Sequence, residues 1–420
     1  SNRVIHDSNE LSIIGAGVVV NNTNISVSIT ENNETILTGD VKASGIACVN
    51  NGSIKGAVVM GSTSDYAIKV VSTGTSASAT LAGIAGENNG SIEDSNISFV
   101  KDSDGIRAEG NFYALVGGIS AVNRGSINSS YVSANIVAST TNDRVMVAGL
   151  VVDLLENGNI NTSGYYGNGK RIEGYTAGGI AGILNQSAKR KIGLNGWDAF
   201  WGSAKLSTTK EEMGNGVLQC FVSGNTVIKG NRVAGLVVDI TNGAVLDSYV
   251  GTGVTLTGIS SSSQVANFAL TVACNARNSE NGKFATGIIA YCYSDASFNN
   301  PGVSYGVCGD NILETPAGSY DKKSCGFGVS LIVSKSKTSG TKFFDEGWPI
   351  YNWFKDGQGN CKTSDSDMYT TNGNDNKFRG FGFATDIWTF DYTQLNSAKS
   401  GKVGPTLANA IIDTTLLLVD

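Results

Sequence analysis

One phrase recurs along the chain and constrains its fold more than any other feature. Its clearest copies are Gly83-Ile84-Ala85-Gly86-Glu87-Asn88-Asn89-Gly90-Ser91-Ile92 and Gly118-Ile119-Ser120-Ala121-Val122-Asn123-Arg124-Gly125-Ser126-Ile127. Each copy opens with a glycine and an apolar residue, and the opening glycines of all the copies are Gly45, Gly83, Gly118, Gly149, Gly179, Gly235 and Gly287. Self-similarity of this kind is the signature of a repeat architecture.

The residue types within the phrase predict short strands joined by sharp bends. A glycine allows close backbone approach or a positive φ, and Asn-x-Gly-Ser supplies a turn before the next apolar residue. The glycines follow one another at steps of 38, 35, 31, 30, 56 and 52 residues. Steps of 30 to 38 residues suit one coil of a stacked structure. We therefore predict an all-β fold, a parallel β-solenoid in which each coil packs on the last.

The repeated phrase resembles the GLUG motif, a glycine-led apolar segment followed by Asn-x-Gly-x-Ile. The resemblance covers about residues 13–295, and the segments Trp388-Thr389-Phe390 and Gly404-Pro405-Thr406-Leu407 resemble the part that closes such arrays. The motif occurs in large bacterial surface proteins, which include adhesin-like proteins and the non-catalytic part of IgA-specific metallopeptidases. The resemblance implies a cell-surface repeat module and implies no chemistry by itself.

The composition divides the chain into two parts. Residues 1–290 form the predicted solenoid, with an insertion at 187–215 where the step lengthens. Residues 291–420 are dense in aromatics and predict a C-terminal cap or subdomain, because so many rings need a thicker core than a narrow coil. The apolar tail 411–420 either docks on this cap or adds as a strand to a neighbouring copy.

Charge and hydropathy narrow the range of partners. The net charge is −6 without clustered basic residues, which argues against a nucleic-acid partner. The sequence contains no run of 18 apolar residues, so no membrane span is predicted. It opens directly on fold-like sequence, which indicates a mature or trimmed product of a longer precursor. Several Asn-x-Ser/Thr sequons arise from the repeat phrase itself, and glycosylation remains an alternative for them.

Three groups of residues are candidates for binding or chemistry. The insertion carries Trp197, Phe200 and Trp201, either a platform for a sugar or protein partner or a satellite cluster that covers one side of the solenoid. Asp153 and Asp239 each follow Val-Val at one repeat position and are either a pair of carboxylates on one face or two turn residues. The third candidate is a calcium site formed by Asp365, Asp367, Asn374 and Asp375, with solvated turns as the alternative, and no other cofactor is predicted.

Common catalytic machinery is missing from the sequence. His6 is the single histidine, which removes Ser-His-Asp and Cys-His arrangements, and His-Glu-x-x-His does not occur. The seven cysteines include no Cys-x-x-Cys pair, so a zinc site is not expected. We predict an extracellular, non-enzymatic surface scaffold or adhesin module that binds itself, a cell-surface protein or a glycan, and that could form filaments by strand addition. The alternative is a carbohydrate-active β-helix enzyme or a glycan-binding module.

Overall fold

The computed structural model of the chain describes residues 40–61, 67–75, 77–99, 105–186, 216–246, 248–251 and 253–259. Outside these ranges it describes Ala296 and the strand segments named below. The described residues form strands, turns and bends and contain no helix. Five sets of parallel strands, which we name sheets I to V, hold almost all of them. The chain passes through sheets I to V in order and then returns to sheet I.

Sheets I and II contain the strands that flank the repeat glycines. The strands of sheet I are Asp40–Ser44, Ser78–Ala82, Tyr113–Gly117, Val145–Ala148, Thr176–Gly178, Arg232–Ala234 and Ala266–Phe268. Those of sheet II are Ala47–Asn50, Ala85–Asn88, Ser120–Asn123, Val151–Glu156, Ala181–Gln186, Val237–Leu246, Thr271–Cys274 and Cys308–Asn311.

Sheet III follows sheet II after a short turn. Its strands are Ile13–Ile14, Ser53–Lys55, Ser91–Glu93, Ser126–Asn128, Asn159–Asn161, Val217–Leu218, the second half of Val237–Leu246, and Gly287–Ala290. The long strand Val237–Leu246 therefore belongs to sheet II by its first half and to sheet III by its second half, and it joins the two into one sheet of 15 strands.

Sheets IV and V complete each repeat. Sheet IV contains Val19–Asn21, Val58–Gly61, Asn96–Phe99, Tyr131–Ser133, Gly164–Tyr166, Phe221–Ser223, Tyr249–Val250 and Tyr293–Ser294. Sheet V contains Ile25–Ile29, Ala67–Ser72, Gly105–Glu109, Asn135–Val137, Arg171–Glu173, Val227–Gly230, Thr255–Gly258 and Ser297–Asn299. Two antiparallel pairs lie apart from these sheets, Ile192–Gly193 with Phe284–Ala285 and Trp388–Thr389 with Thr406–Leu407.

The core consists of identical or similar apolar residues placed one above another. In sheet III each core residue is paired in register with its counterpart in the next repeat, and none is more than 1% exposed. The column is Ile54, Ile92, Ile127, Ile160, Val217 and Val245. Burial of one such side chain stabilises the fold by roughly 1.5–3 kcal/mol. A slip of one residue would turn the column outward, so the apolar pattern fixes the register.

The repeat glycines lie at the bend between sheets I and II, where successive repeats touch through the backbone. The Gly83 amide donates to the Gly118 carbonyl oxygen at 2.8 Å, and a Cβ built on Gly83 would lie 2.5 Å from that oxygen. A side chain therefore cannot fit there. The steric contact recurs along the column: a Cβ on Gly45, Gly118, Gly149 or Gly179 would likewise meet the carbonyl oxygen of the next glycine, which is Gly83, Gly149, Gly179 or Gly235 respectively.

Gly287 does not belong to this column, and the prediction that it opens a repeat is wrong. Gly287 lies within a strand of sheet III and pairs with Gly243. The strands on either side of Gly235 pair instead with Ala266–Phe268 and Thr271–Cys274, which are separated in sequence by Ala269 and Leu270. By sequence register, Ala269 therefore corresponds to Gly235. The phrase Thr-Gly-Ile-Ile-Ala around Gly287 resembles the motif in sequence but lies in sheet III instead of at the bend between sheets I and II.

An asparagine ladder fills the turn between sheets II and III. Asn50 donates from Nδ2 to Oδ1 of Asn88 at 2.7 Å, and Asn88 donates to Oδ1 of Asn123 at 2.6 Å. All three side chains are at most 1% exposed. The next residues in the column are the buried Leu154 and Leu184 and then Ile240, so the ladder ends where the sequence turns apolar.

A left-handed residue marks each turn from sheet III to sheet IV. Five successive repeats place one residue there at φ between 46° and 64°: Gly56, Asp94, Ser129, Thr162 and Gln219. The residue that follows each bend is small and buried. After Gly56 it is Ala57, and in the other four repeats it is Ser95, Ser130, Ser163 or Cys220, whose hydroxyl or thiol accepts an amide from the previous repeat. Ser95 and Ser130 are joined in this way at 3.1 Å, as are Ser130 and Ser163. Cys220 stands in the same column, and its own amide donates to Ser248 Oγ at 3.0 Å.

Parallel pairing continues past residue 290. The strands at 293–294, 297–299 and 308–311 lie in sheets IV, V and II. Apart from these and the pair formed by Trp388–Thr389 and Thr406–Leu407, the predicted cap at 291–420 and its tail 411–420 lie outside the described residues. The pair at 388–389 and 406–407 brings together the two segments that resemble the end of a GLUG array.

Candidate functional site

The outer side of the bend between sheets I and II is a re-entrant corner, which we name the I–II corner. The strands of sheet I end there in small residues. Ala82, Ala148 and Ala234 are fully buried, although the residue before each of them faces the main core and the alanine therefore faces the other side of the sheet. A Cβ on Gly117 would lie 3.1 Å from the Cα of Ala121 and closer still to the Ser120 carbonyl oxygen. Small residues thus let the two sheets approach each other from the outside.

A second apolar cluster, separate from the main core, fills the I–II corner. Its buried members are Leu115, Ala121, Val122, Ala148 and Val152, and Tyr113, Met146 and Leu155 pack against it. Because Ala114 and Val116 belong to the main core, strand alternation places Tyr113 and Leu115 on the opposite face. The Arg144 guanidinium lies 5.9 Å from the centroid of the Tyr113 ring and extends the cluster with a cation–π contact.

Asp153 places a carboxylate beside this apolar cluster. Burial raises its pKa from 3.8 to about 6, and the nearby charge of Arg124 opposes the shift. Among the described residues its Oδ1 has no hydrogen-bond partner. Arg124 makes its own contact with Glu156, with Nε 2.9 Å from Oε1. A carboxyl group with this pKa can exchange a proton near neutral pH, which makes Asp153 a candidate acid of the corner.

Ion pairs bridge the two sheets at either end of the corner. Lys42 lies 2.6 Å from Glu87, and Arg232 donates to both carboxylate oxygens of Asp239 at 3.0 and 2.6 Å. The structure places Asp153 and Asp239 in one column with Ile183 between them. Two strand spacings separate the two acids by about 10 Å. Arg232 thus engages both oxygens of Asp239, whereas Oδ1 of Asp153 has no hydrogen-bond partner among the described residues.

Sheet IV carries an aromatic stack. The ring centroids of Tyr131 and Phe221 are 6.0 Å apart, and those of Phe221 and Tyr249 are 5.8 Å apart with nearly parallel planes. Gly164 makes room for the Phe221 ring, since a Cβ there would lie 2.5 Å from Cζ of Phe221. Phe221 is 1% exposed, and burial raises the pKa of Tyr131 to about 12. Phe221 and Tyr249 are buried structural packing and are not open to a stacked sugar, and Tyr131 is half-buried against them.

The insertion predicted at 187–215 occupies one defined place. It separates the sheet II strand Ala181–Gln186 from the sheet III strand Val217–Leu218, whereas two residues make this turn in the four preceding repeats. Its strand Ile192–Gly193 pairs with Phe284–Ala285, which lies in the segment between sheets II and III two repeats later. Trp197, Phe200 and Trp201 lie outside the described residues.

The remaining sequence candidates are not placed together. Asp365, Asp367, Asn374 and Asp375 lie outside the described residues, as does His6. Within the described ranges no group of three or more His, Cys, Asp or Glu side chains could hold a metal ion. No helix long and apolar enough to cross a membrane occurs in the same part of the chain.

Three features of the site are not visible in the sequence pattern. The asparagine ladder follows from Asn-x-Gly, which indicates a turn but not that the first asparagine points inward. The I–II corner uses apolar residues that sequence alternation assigns equally well to the core. Asp153 could be found only by its repeat position, since the sequence does not show that it pairs with Val122 of the second apolar cluster. The sequence matches no protein-family model, and no curated protein or solved structure is significantly similar to it.

Proposed function

We propose that the chain is a β-solenoid scaffold of an extracellular, GLUG-like surface protein, and that it presents binding surfaces rather than a catalytic centre. The observation that carries this proposal is the in-register pairing of sheet II from Ala47 through Ala85, Ser120, Val151, Ala181, Val237 and Thr271 to Cys308. Strands of each repeat pair in parallel with those of the one before it, which supports a solenoid.

The distribution of constant and variable residues supports a scaffold. Inward positions repeat with little change, as the isoleucine column of sheet III does. Outward positions of the same strands vary, and Lys55, Glu93, Asn128 and Asn161 stand one above another. An enzyme that works along a polymer needs one set of groups at one place, whereas a scaffold needs only a constant interior.

The binding surface in this proposal lies where the insertion 187–215 pairs with Phe284–Ala285, and we name this region the lobe. Pairing of Ile192 with Ala285 and of Gly193 with Phe284 ties the segment 187–215 to the segment after Thr271–Cys274. We assign to this lobe the recognition of a cell-surface protein or glycan, with Trp197, Phe200 and Trp201 as the aromatic contacts.

The test is a comparison of two variants of the full chain. The triple variant Trp197→Ala, Phe200→Ala, Trp201→Ala should lose binding on a glycan array and to whole cells, with an unchanged far-UV circular dichroism spectrum. The matched control, Phe221→Leu with Tyr249→Leu, alters aromatic residues of the buried stack and should keep binding. Retained binding by the triple variant would remove the lobe from the proposal.

A carbohydrate-active enzyme is the second candidate, and one observation favours it. Asp153 combines a pKa of about 6 with a position on the outside of a re-entrant corner, in one column with Asp239. A spacing of about 10 Å is close to the upper end of that between the two acids of inverting glycosidases. Release of reducing ends from polysaccharides by the parent chain, abolished by Asp153→Asn, would establish the enzyme and displace the scaffold. The ion pair between Arg232 and Asp239 favours the scaffold, because the second carboxylate of the column is already engaged by an arginine.

A further inference from the structure

Two columns of residues line the I–II corner, one from each sheet. The sheet I column is Lys42, Thr80, Leu115, Met146, Thr176 and Arg232. The sheet II column is Val49, Glu87, Val122, Asp153, Ile183 and Asp239. Within every repeat the two positions are seven residues apart in sequence, so the register gives the sheet I residues that stand beside each acid.

Two of the three acids in this sheet II column are engaged by a cation of the sheet I column. Lys42 comes from the repeat before Glu87, and its ammonium lies 2.6 Å from the Glu87 carboxylate. Arg232 belongs to the same repeat as Asp239 and donates to both of its carboxylate oxygens. The corner thus lets a basic group on the sheet I side reach an acid on the sheet II side, from the same repeat or from the one before.

Asp153 is the acid of the column without such a cation. The sheet I position of its own repeat holds Met146, and that of the preceding repeat holds Leu115, and both side chains belong to the second apolar cluster. Oδ1 of Asp153 has no hydrogen-bond partner among the described residues, while the residue as a whole stays partly exposed to solvent. Arg124 is the charged group that acts on Asp153, and its Nε is engaged by Glu156.

We propose that Asp153 and the apolar residues around it bind an arginine side chain of a partner protein. A guanidinium is planar and weakly hydrated, so it packs against apolar and aromatic side chains while its N–H groups donate to a carboxylate. The arginine of the partner would take the place at Asp153 that Arg232 takes at Asp239. This inference rests on the scaffold role proposed above and gives the scaffold a second binding surface, separate from the lobe.

The surroundings of Asp153 favour a guanidinium over an ammonium. The second apolar cluster already carries one guanidinium, since Arg144 lies 5.9 Å from the centroid of the Tyr113 ring, which packs against that cluster. A compact and strongly hydrated ammonium gains less from such a surface. A carboxylate set among apolar groups costs free energy of desolvation, which a bound cation offsets. The chemistry of the corner therefore selects arginine rather than lysine.

The test follows methyl resonances of the corner in the full chain. With isotope-labelled methyl groups of Met, Leu and Val, titration with n-butylguanidinium at about pH 7.5 should shift the signals of Met146, Leu115 and Val122 saturably. Asp153→Asn should weaken this affinity at least about tenfold, because hydrogen bonds to an ionised group are lost. The matched control Asp143→Asn removes the same charge from an exposed turn residue and should bind as the parent does. Binding of n-butylammonium should be weaker than that of n-butylguanidinium.

A second variant supplies the cation from within the chain. Met146→Arg places an arginine at the sheet I position of this repeat, in the column of Arg232, and should abolish binding of n-butylguanidinium. Unchanged binding by Asp153→Asn or by Met146→Arg would overturn the site, as would a parent chain without a saturable shift. Equal affinity for n-butylammonium would overturn the choice of arginine, and release of reducing ends from polysaccharides by the parent chain would assign Asp153 to catalysis instead. Failure of the scaffold role would show separately, as the absence of a rod-like shape by electron microscopy.

Discussion

Asn88 is hydrogen-bonded to Asn123 in the next repeat, with Nδ2 2.6 Å from Oδ1, and both side chains are fully buried. A single replacement of Asn88 by Ala removes the acceptor of Asn50 and the donor to Asn123. Each buried polar group left without a partner costs about 1–3 kcal/mol, so we expect Asn88→Ala to destabilise the fold by about 2–5 kcal/mol. Denaturant unfolding measures this loss.

The matched control replaces the whole ladder. Asn50, Asn88 and Asn123 changed together to Leu leave no orphaned side-chain amide, and Leu154 and Leu184 show that leucine fits the column. The triple variant should lose less free energy of unfolding than three times the loss measured for Asn88→Ala. A cost equal to the sum of three single replacements would contradict the account of a coupled ladder.

Asp153 should make stability depend on pH. Its pKa is about 6 in the fold and 3.8 ordinarily, so the folded state holds the proton more tightly than the unfolded chain. Stability therefore falls as the pH rises from about 4 to about 6 and stays lower above that range. Asp153→Asn should remove the dependence and raise stability at pH 7 by about 1–3 kcal/mol. Unfolding by guanidinium at several pH values measures both effects, and Asp239→Asn is the control that lowers stability instead, because it breaks the bidentate pair with Arg232.

Cys220 should tolerate serine and reject valine. It stands in a column of serines, burial raises the pKa of its thiol to about 12, and the Ser163 amide donates to its sulfur. Cys220→Ser supplies the same acceptor and should change stability by less than about 1 kcal/mol, whereas Cys220→Val leaves the Ser163 amide unpaired at a cost of about 1–3 kcal/mol. Equal effects of the two replacements, seen by thermal unfolding, would show that the column is only packing.

The glycines of the I–II bend should be irreplaceable for a steric reason. Gly118→Ala would drive a Cβ into the carbonyl oxygen of Gly149 and should cost more than about 3 kcal/mol. Gly169 is the control, since its φ of 89° is unfavourable for alanine while nothing lies within 4 Å of an added Cβ. Gly169→Ala should cost only the backbone strain, about 1–2 kcal/mol. Soluble expression and the unfolding midpoint distinguish the two.

Thr162 offers a route to a more stable chain. It is β-branched and held at φ 47°, a region in which such residues are strained. Asparagine adopts this region more readily, so Thr162→Asn should raise stability by about 0.5–1 kcal/mol. Asp94→Asn at the equivalent turn is the control and should be close to neutral, because aspartate already tolerates the region. A lower melting temperature for Thr162→Asn would contradict this explanation.

Much of the repeat follows from the sequence, because small residues at a bend and isoleucine after Asn-x-Gly-Ser leave few alternatives. Gly45, Gly83, Gly118, Gly149 and Gly179 share one environment, in which an added Cβ would meet the carbonyl oxygen of the equivalent glycine in the next repeat. Gly287 was wrongly predicted to open a repeat because the position that corresponds to Gly235 in the next repeat is an alanine, so the sequence pattern had no glycine to mark it. The asparagine and serine columns could not be predicted from the sequence for a different reason. An isolated Asn or Ser indicates a turn, and only the structure shows that its side chain bonds to the equivalent residue of the next repeat.

The turn between sheets II and III absorbs residues 187–216 while Ile160 still pairs with Val217. A segment of this length thus leaves the axial register intact. The equivalent two-residue turns, such as Asn89-Gly90, are therefore natural graft points for a foreign peptide. Peptides grafted into several of these turns would be spaced at multiples of about 4.8 Å along one side of the molecule, because that is the distance between neighbouring strands.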